Sequence, residues 1–245
     1  MNRDFVCYLR LLVDSLPEPI RNSRFLFELA RAFFDLPKEL FFFRSDYLRG
    51  LISDLSVYYD PKSPLSIEKI SKTTDINSQH WRLINYYFKF HNPSSFLDAG
   101  CGSGHVIQSL AVSVNHTSFL GIDFYPPLQK YHSRVDFRCG NLLDELRKIN
   151  DKSIEFVLCA HVIEHLSSPH EVVWHLKRIS SKCLVIICPL EKKFTWGMNY
   201  HINFFPDKKA FSIFLSSVFS DHKNDPLEGL LYENMGDIMY IENCG

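Results

Sequence analysis

Seven residues, Asp98-Ala-Gly-Cys-Gly-Ser-Gly104, constrain this chain more than any other stretch. The apolar run Ser95-Phe-Leu leads into them, and a helical pattern opening His105-Val-Ile-Gln leads out. Glycines at 100, 102 and 104 permit backbone conformations closed to other residues and let a ligand approach where a Cβ would collide. A strand turning through glycines into a helix is the start of a βα unit. In an open α/β sheet, ligands bind in the crevice at the carboxyl ends of such strands.

From Ser95 onward, short apolar runs alternate with helical stretches. This predicts an α/β fold: a Rossmann-like, mainly parallel, seven-stranded sheet with helices on both faces. Strands are expected at Ser95–Ala99, Ser118–Ile122, Val135–Cys139, Ile154–Ala160 and Cys183–Cys188, and helices near 105–114, 142–149, 169–180 and 207–218. Strands near Val218–His222 and Asp237–Glu242 are expected to form an antiparallel pair at the sheet edge. Residues 1–92 read as a helical extension over the substrate pocket, and residues 93–245 as the cofactor domain. In the extension, Phe5, Tyr8, Leu9, Leu12, Val13 and Leu16, then Phe25, Leu29, Phe33 and Leu36, recur at helical spacing, and a helix over Ser78–Phe90 closes it. The aromatic stretch from Phe25 to Phe43 is interrupted by charges, so a buried helix pair is expected there rather than a lipid-surface element.

The 27 basic and 28 acidic residues give a net charge of −1, which provides no long-range field to gather nucleic acid. A nucleic-acid partner is therefore not favoured. Seven cysteines are present without a C-x-x-C pair, and several lie in apolar runs, as expected of free thiols in a reducing compartment. Neither a secretory pattern nor an apolar run of the roughly 20 residues a membrane span needs is found, so a cytoplasmic location is expected. Oligomeric state is not legible.

Two cofactor classes compete for the glycine turn. A dinucleotide fingerprint G-x-G-x-x-G/A puts His105 at its third position when counted from Gly100, and Ile107 when counted from Gly102; both are too bulky. The pattern D-x-G-x-G-x-G fits, and over roughly residues 78 to 245 the chain resembles class I S-adenosylmethionine-dependent methyltransferases. The resemblance implies that Asp98, Gly100, Gly102 and Gly104 hold the methionine end of S-adenosyl-L-methionine. It also implies that Asp123, 19 residues past Gly104, receives both ribose hydroxyls. Asn141 and the backbone of Leu142 would lie beside the adenine. Each has a plainer reading as well: a helix cap for Asp123 and a turn for Gly140-Asn141.

After the fourth strand comes His161-Val-Ile-Glu-His165, where the transferred methyl should point. If the turn is helical, His161, Glu164 and His165 share a face. H-x-x-E-H is also the inverted zinc-peptidase motif, but that motif needs a long helix rather than a strand end. The segment resembles the E-x-x-E-H motif of ubiquinone-biosynthesis and small-RNA 2′-O-methyltransferases, which implies a divalent ion; this chain has His161 in place of the first glutamate. With His201 as a fourth ligand, the set His161, Glu164, His165 and His201 would suit a more nitrogen-loving ion than Mg²⁺. Alternatively, Glu164 and His165 are structural. Without a metal, His165 and His201 are the candidate bases. Trp174 and His175 are read as packing residues, and Trp196, Tyr200 and Phe204 as aromatics able to grip a ring or sugar. The expected activity is methyl transfer to a small-molecule acceptor, preferably a hydroxyl of a sugar, lipid precursor or secondary metabolite. The alternatives are metal-assisted RNA 2′-O-methylation and a non-catalytic methyltransferase-like binding protein.

Overall fold

The computed structural model describes residue 8 and residues 11–34, 36–52, 55–59, 62–63, 76–126, 132–193, 200–219 and 227–244. Its seven strands are β1 Ser95–Ala99, β2 Ser118–Asp123, β3 Val135–Cys139, β4 Ile154–Ala160, β5 Ser180–Pro189, β6 Leu230–Asn234 and β7 Asp237–Asn243. They form one sheet in the order β3-β2-β1-β4-β5-β7-β6. β1 to β5 are parallel, and β7 pairs antiparallel with both β5 and β6. The mainly parallel seven-stranded sheet predicted from the alternation is the fold observed.

The central strands are continuous apolar runs because both of their faces are covered. One face, through Leu97, Val157, Cys159 and Ile186, packs on α6 Leu142–Arg147, α7 Pro169–Ile179 and α8 Lys208–Phe219. The other, through Phe96, Phe119, Phe156 and Val185, packs on α4 Ser78–His91 and α5 His105–Ser113. In α7, buried Val172, Val173, Leu176 and Ile179 recur at three- and four-residue spacing, which gives the helix one apolar stripe for the sheet. Asn77 caps α4 by accepting the His80 N–H at 2.9 Å. Ile84 and Phe88 of α4 lie in the sheet's core, so this helix, grouped with the extension in the sequence reading, packs with the strands.

Ahead of it lie α1 Glu18–Arg21, α2 Arg24–Phe34 and α3 Leu40–Leu48. They gather a separate small core of Phe27, Leu36, Leu40 and Phe43, closed by Tyr200 from beyond the fifth strand. The helical periodicity picked the wrong face of α2. Phe25 and Phe33 are 79% and 81% exposed, and Leu29 is exposed as well, while Phe27 between them is buried. The helix is apolar on both sides, and the side opposite the periodic stripe is the one that meets Phe41 and Phe43. Phe5 and Leu9 lie outside the described residues. The strand expected near Val218–His222 is also corrected: Val218 and Phe219 end α8, and the sixth strand is Leu230–Asn234. Among the described residues, no helix is long and apolar enough to cross a membrane.

Candidate functional site

At the carboxyl end of β1 the chain turns through Gly100, Gly102 and Gly104, all at positive φ (77°, 51° and 72°). The three do different work. A Cβ on Gly100 would lie 2.3 Å from Val162 Cγ2, so this glycine lets the turn nest against the loop after β4. A Cβ on Gly102 would meet nothing within 4 Å, so its backbone faces open space where a ligand can approach. Gly104 is the N-cap of α5. Asp98 lies buried beneath the turn.

Asp123, at the end of β2, is tied into the same turn. Its Oδ2 accepts the Gly102 N–H at 2.7 Å and its Oδ1 the Phe124 N–H at 2.8 Å. Burial raises its pKa, and these backbone donors work against the rise by favouring the carboxylate. The Tyr125 N–H adds a third backbone donor, which leaves part of the carboxylate's acceptor capacity for a ligand hydroxyl. Asn141 follows β3 as the N-cap of α6, its Oδ1 accepting the Leu143 N–H at 3.0 Å and the Asp144 N–H at 3.4 Å. The Asn141 side-chain carbonyl is therefore spent on the helix; the Asn141 Nδ2 and the backbone beside Leu142 are what this corner offers to an adenine. Leu142 itself is buried in the core.

After β4, the His161 N–H still bonds the Ile187 carbonyl at 2.9 Å. His161 then turns the chain at φ 56°, and a short 3-10 helix, Ile163–His165, follows. The three motif residues do not share one helical face. His161 instead lies between two buried carboxylates, its Nδ1 3.4 Å from Glu164 Oε1 and its Nε2 3.9 Å from Asp237 Oδ2. Glu164, His165 and His201 do come together, each offering a ligand atom within 4.8 Å of the others. His161 is not part of that cluster.

Each histidine of the cluster is fixed through its Nδ1. His201 Nδ1 is bonded to the buried carboxylate of Glu191. His165 Nδ1 meets the Tyr59 hydroxyl at 2.9 Å and the Tyr200 carbonyl at 3.2 Å, while Tyr59 donates to that same carbonyl. An Nδ1–H tautomer satisfies both networks and leaves each Nε2 with a lone pair. Desolvation, reinforced by the nearby His201, holds the His165 imidazole down to about 4, so it is neutral at pH 7. Burial alone would raise the Glu164 carboxyl, but the surrounding imidazoles of His161, His165 and His201 outweigh it and pull it down to about 2. Neither Glu164 side-chain oxygen has a hydrogen-bond partner among the described residues. The Glu164 backbone carbonyl accepts the N–H groups of Ile202 at 2.8 Å and Asn203 at 3.0 Å, which seats the His201 segment against the motif.

Glu191, Tyr59 and Asp237 escaped the sequence reading. Glu191 stands beside Lys192 and Lys193 with nothing in its neighbours to mark it, and Tyr59 lies over a hundred positions from the motif. Tyr200 has no face free for a ring: it is fully buried, 4.7 Å from Phe43 and 4.6 Å from Tyr58 between ring centroids. Trp196 lies outside the described residues. Of the two residues assigned to packing, His175 is buried and Trp174 is half exposed.

Residues 97–182 match the family model described as a methyltransferase domain. No curated protein matches. Among solved structures, the CurJ carbon methyltransferase aligns at a TM-score of 0.60 and 13% identity, over 89% of this chain and 69% of its own. The plantazolicin methyltransferase BamL, solved with a desmethylated plantazolicin analogue and S-adenosylhomocysteine, aligns at 0.51 and 18%, over 79% and 74%. The N-terminal domain of EvdMO1, solved with S-adenosylhomocysteine, aligns at 0.50 and 14%, over 69% and 83%. Residues 97–182 thus carry a methyltransferase domain, and the sheet order is that of the fold shared with these class I S-adenosylmethionine-dependent methyltransferases, which the chain resembles.

Proposed function

We propose that this protein binds S-adenosyl-L-methionine at the β1 turn and transfers its methyl group to a hydroxyl of a small-molecule acceptor. The observation that carries this reading is the pairing of Gly102, whose backbone faces open space, with Asp123, whose carboxylate is held at that backbone. When bound, the cofactor supplies a sulfonium-activated methyl that an acceptor oxygen displaces, leaving a neutral thioether. Asp98 and the glycine turn take the methionine end, Asp123 the ribose hydroxyls, and Asn141 with the Leu142 backbone the adenine edge. His201 accepts the hydroxyl proton at Nε2, and Glu191 at its Nδ1 stabilises the resulting imidazolium. His165, whose ring lies 4.6 Å from that of His201, would stand beside the acceptor. The helices before α4 serve as the cap, and the chain from α4 onward as the cofactor domain. The balanced net charge supports a small acceptor over RNA.

A second reading is favoured by the buried carboxylate of Glu164, which has imidazoles around it but no hydrogen bond of normal geometry among the described residues. A buried anion with the His165 Nε2 at 3.9 Å and His201 in the same cluster suits a divalent transition ion, with Glu191 and the Tyr200 carbonyl orienting the two histidines from behind. Such an ion, when bound, supplies Lewis acidity toward the acceptor oxygen. Glu164, His165 and His201 would hold it, with His161 outside the ligand set.

Titration of S-adenosylhomocysteine into the full chain tests the cofactor assignment. The wild type is expected to bind saturably and Asp123→Ala to lose at least about tenfold in affinity, as for a lost charge-assisted hydrogen bond. Absence of binding by folded wild-type protein would overturn the reading. His201→Gln should keep that affinity while methyl transfer to a hydroxylated acceptor falls by about 10²-fold or more. Elemental analysis of the purified protein decides the metal reading, with bound ion expected in the wild type and lost in Glu164→Gln.

A further inference from the structure

Beside the imidazole cluster lies a cavity of about 310 Å³ that the proposed methyl transfer does not use. Arg44 of α3, Lys193 after β5 and His170 at the start of α7 line it, with Phe204 and Phe214 as its aromatic walls. No acidic side chain contributes to its lining among the described residues. The Arg44 guanidinium rests over the Phe204 ring, 4.1 Å from the centroid, a cation–π contact that fixes where the charge sits. Lys193 is anchored through its backbone, the carbonyl accepting from the buried Arg21 at 3.3 Å. Arg21 and Arg44 belong to the N-terminal helices and Lys193 to the loop after β5, so the two layers meet at this cavity.

The cavity shares a wall with the catalytic cluster. Ile202 and Asn203 line it, and they directly follow His201. Arg44 is also close enough to Glu191, the residue holding His201 Nδ1, to feel its charge. A molecule seated here therefore reaches toward His201 across one or two residues of chain.

We propose that the acceptor of this methyltransferase carries an anionic group, a carboxylate or a phosphate, which Arg44 and Lys193 receive in this cavity while its apolar part lies on Phe204 and Phe214. The proposal rests on the function argued above and narrows its substrate class. A planar guanidinium supplies a fork of donors matched to two oxygens of either anion, and Lys193 adds a movable point charge. The aromatic walls select against a bare inorganic ion.

Benzoate and phenyl phosphate, with neutral benzyl alcohol as the control, can be titrated into the full chain with and without S-adenosylhomocysteine. At least one anion should bind at least about tenfold more tightly than the alcohol, and which one binds distinguishes carboxylate from phosphate. Arg44→Gln and Lys193→Gln should each weaken that anion about tenfold, and Arg44→Lys should restore part of the loss. S-adenosylhomocysteine affinity and thermal midpoint serve as the folding controls and should match wild type in all three variants. Equal binding of anion and alcohol, or unchanged anion affinity in Arg44→Gln and Lys193→Gln, would overturn the proposal. Failure of the wild type to bind S-adenosylhomocysteine would sink the methyltransferase reading. The anion titration done without it would still decide whether the cavity is an anion site.

Discussion

Gly100 and Gly102 are two positions apart and both lie at positive φ, yet substitution by alanine should affect them differently. Alanine at 100 meets Val162 as well as the unfavourable backbone angle. Strain and overpacking together should cost about 2–4 kcal/mol, measured by chemical denaturation. Alanine at 102 has open space around it and should cost only about 1 kcal/mol, while cofactor affinity falls steeply because the methyl occupies the ligand's approach. Equal stability losses would contradict this division of labour. The glycine spacing was plain in the sequence, but which glycine serves packing and which serves the ligand depends on Val162, 62 positions away from Gly100. The same limit applies to Asn141: Gly-Asn before an apolar helix was readable as a turn or as a ligand, and only the two N–H groups on its Oδ1 show a helix cap.

At the level of elements, α7 shows how a helix on the sheet ties in its neighbours. Arg178 donates from Nε to His175 Nδ1 at 3.1 Å and from an Nη to the Leu146 carbonyl at 3.0 Å, linking α7 to the end of α6. Burial, and then the charge of Arg178, lowers the His175 pKa below its ordinary 6.5. The unfolded chain therefore takes up a proton at 6.5 while the folded chain resists it, so His175 supports the fold above that pH and the support is lost as pH falls. Stability should decline from pH 7 to pH 5 by an amount that His175→Gln reduces; identical slopes in the two proteins would refute the assignment. The inner strands were readable because parallel strands covered on both faces are near-continuous apolar runs, as in Phe156-Val-Leu-Cys159. The edge strand β6 was not, because it is half exposed and carries no such run. Its signal lay in the turn Asn234-Met-Gly-Asp237, where Met235 and Gly236 take φ of 49° and 75° and close a two-residue hairpin onto β7.

Across the whole molecule, the N-terminal helices and the sheet keep separate cores that meet at the segment containing Tyr200. Replacing Tyr200 by alanine removes a fully buried aromatic from the smaller core and should cost about 3–5 kcal/mol there. Limited proteolysis should then cut the chain before α4 while the sheet resists, whereas uniform degradation would mean the two cores melt together. The sequence separated a helical half from an α/β half. It could not show that the seam runs through a residue of the later half, because helical periodicity reports which residues are apolar and not which distant side chain completes their packing.

Tyr200 faces both ways at that seam. Its ring plugs the core of the N-terminal helices, and its carbonyl holds the Nδ1 edge of His165 together with Tyr59, itself a residue of the N-terminal region. Under the function proposed above, lifting these helices to admit an acceptor would pull on the same residue that aims the imidazole, so an open pocket would also be a misaligned one. On that reading, closure of the cap would be a condition of turnover, and an open enzyme would hold its activated methyl donor without spending it on water.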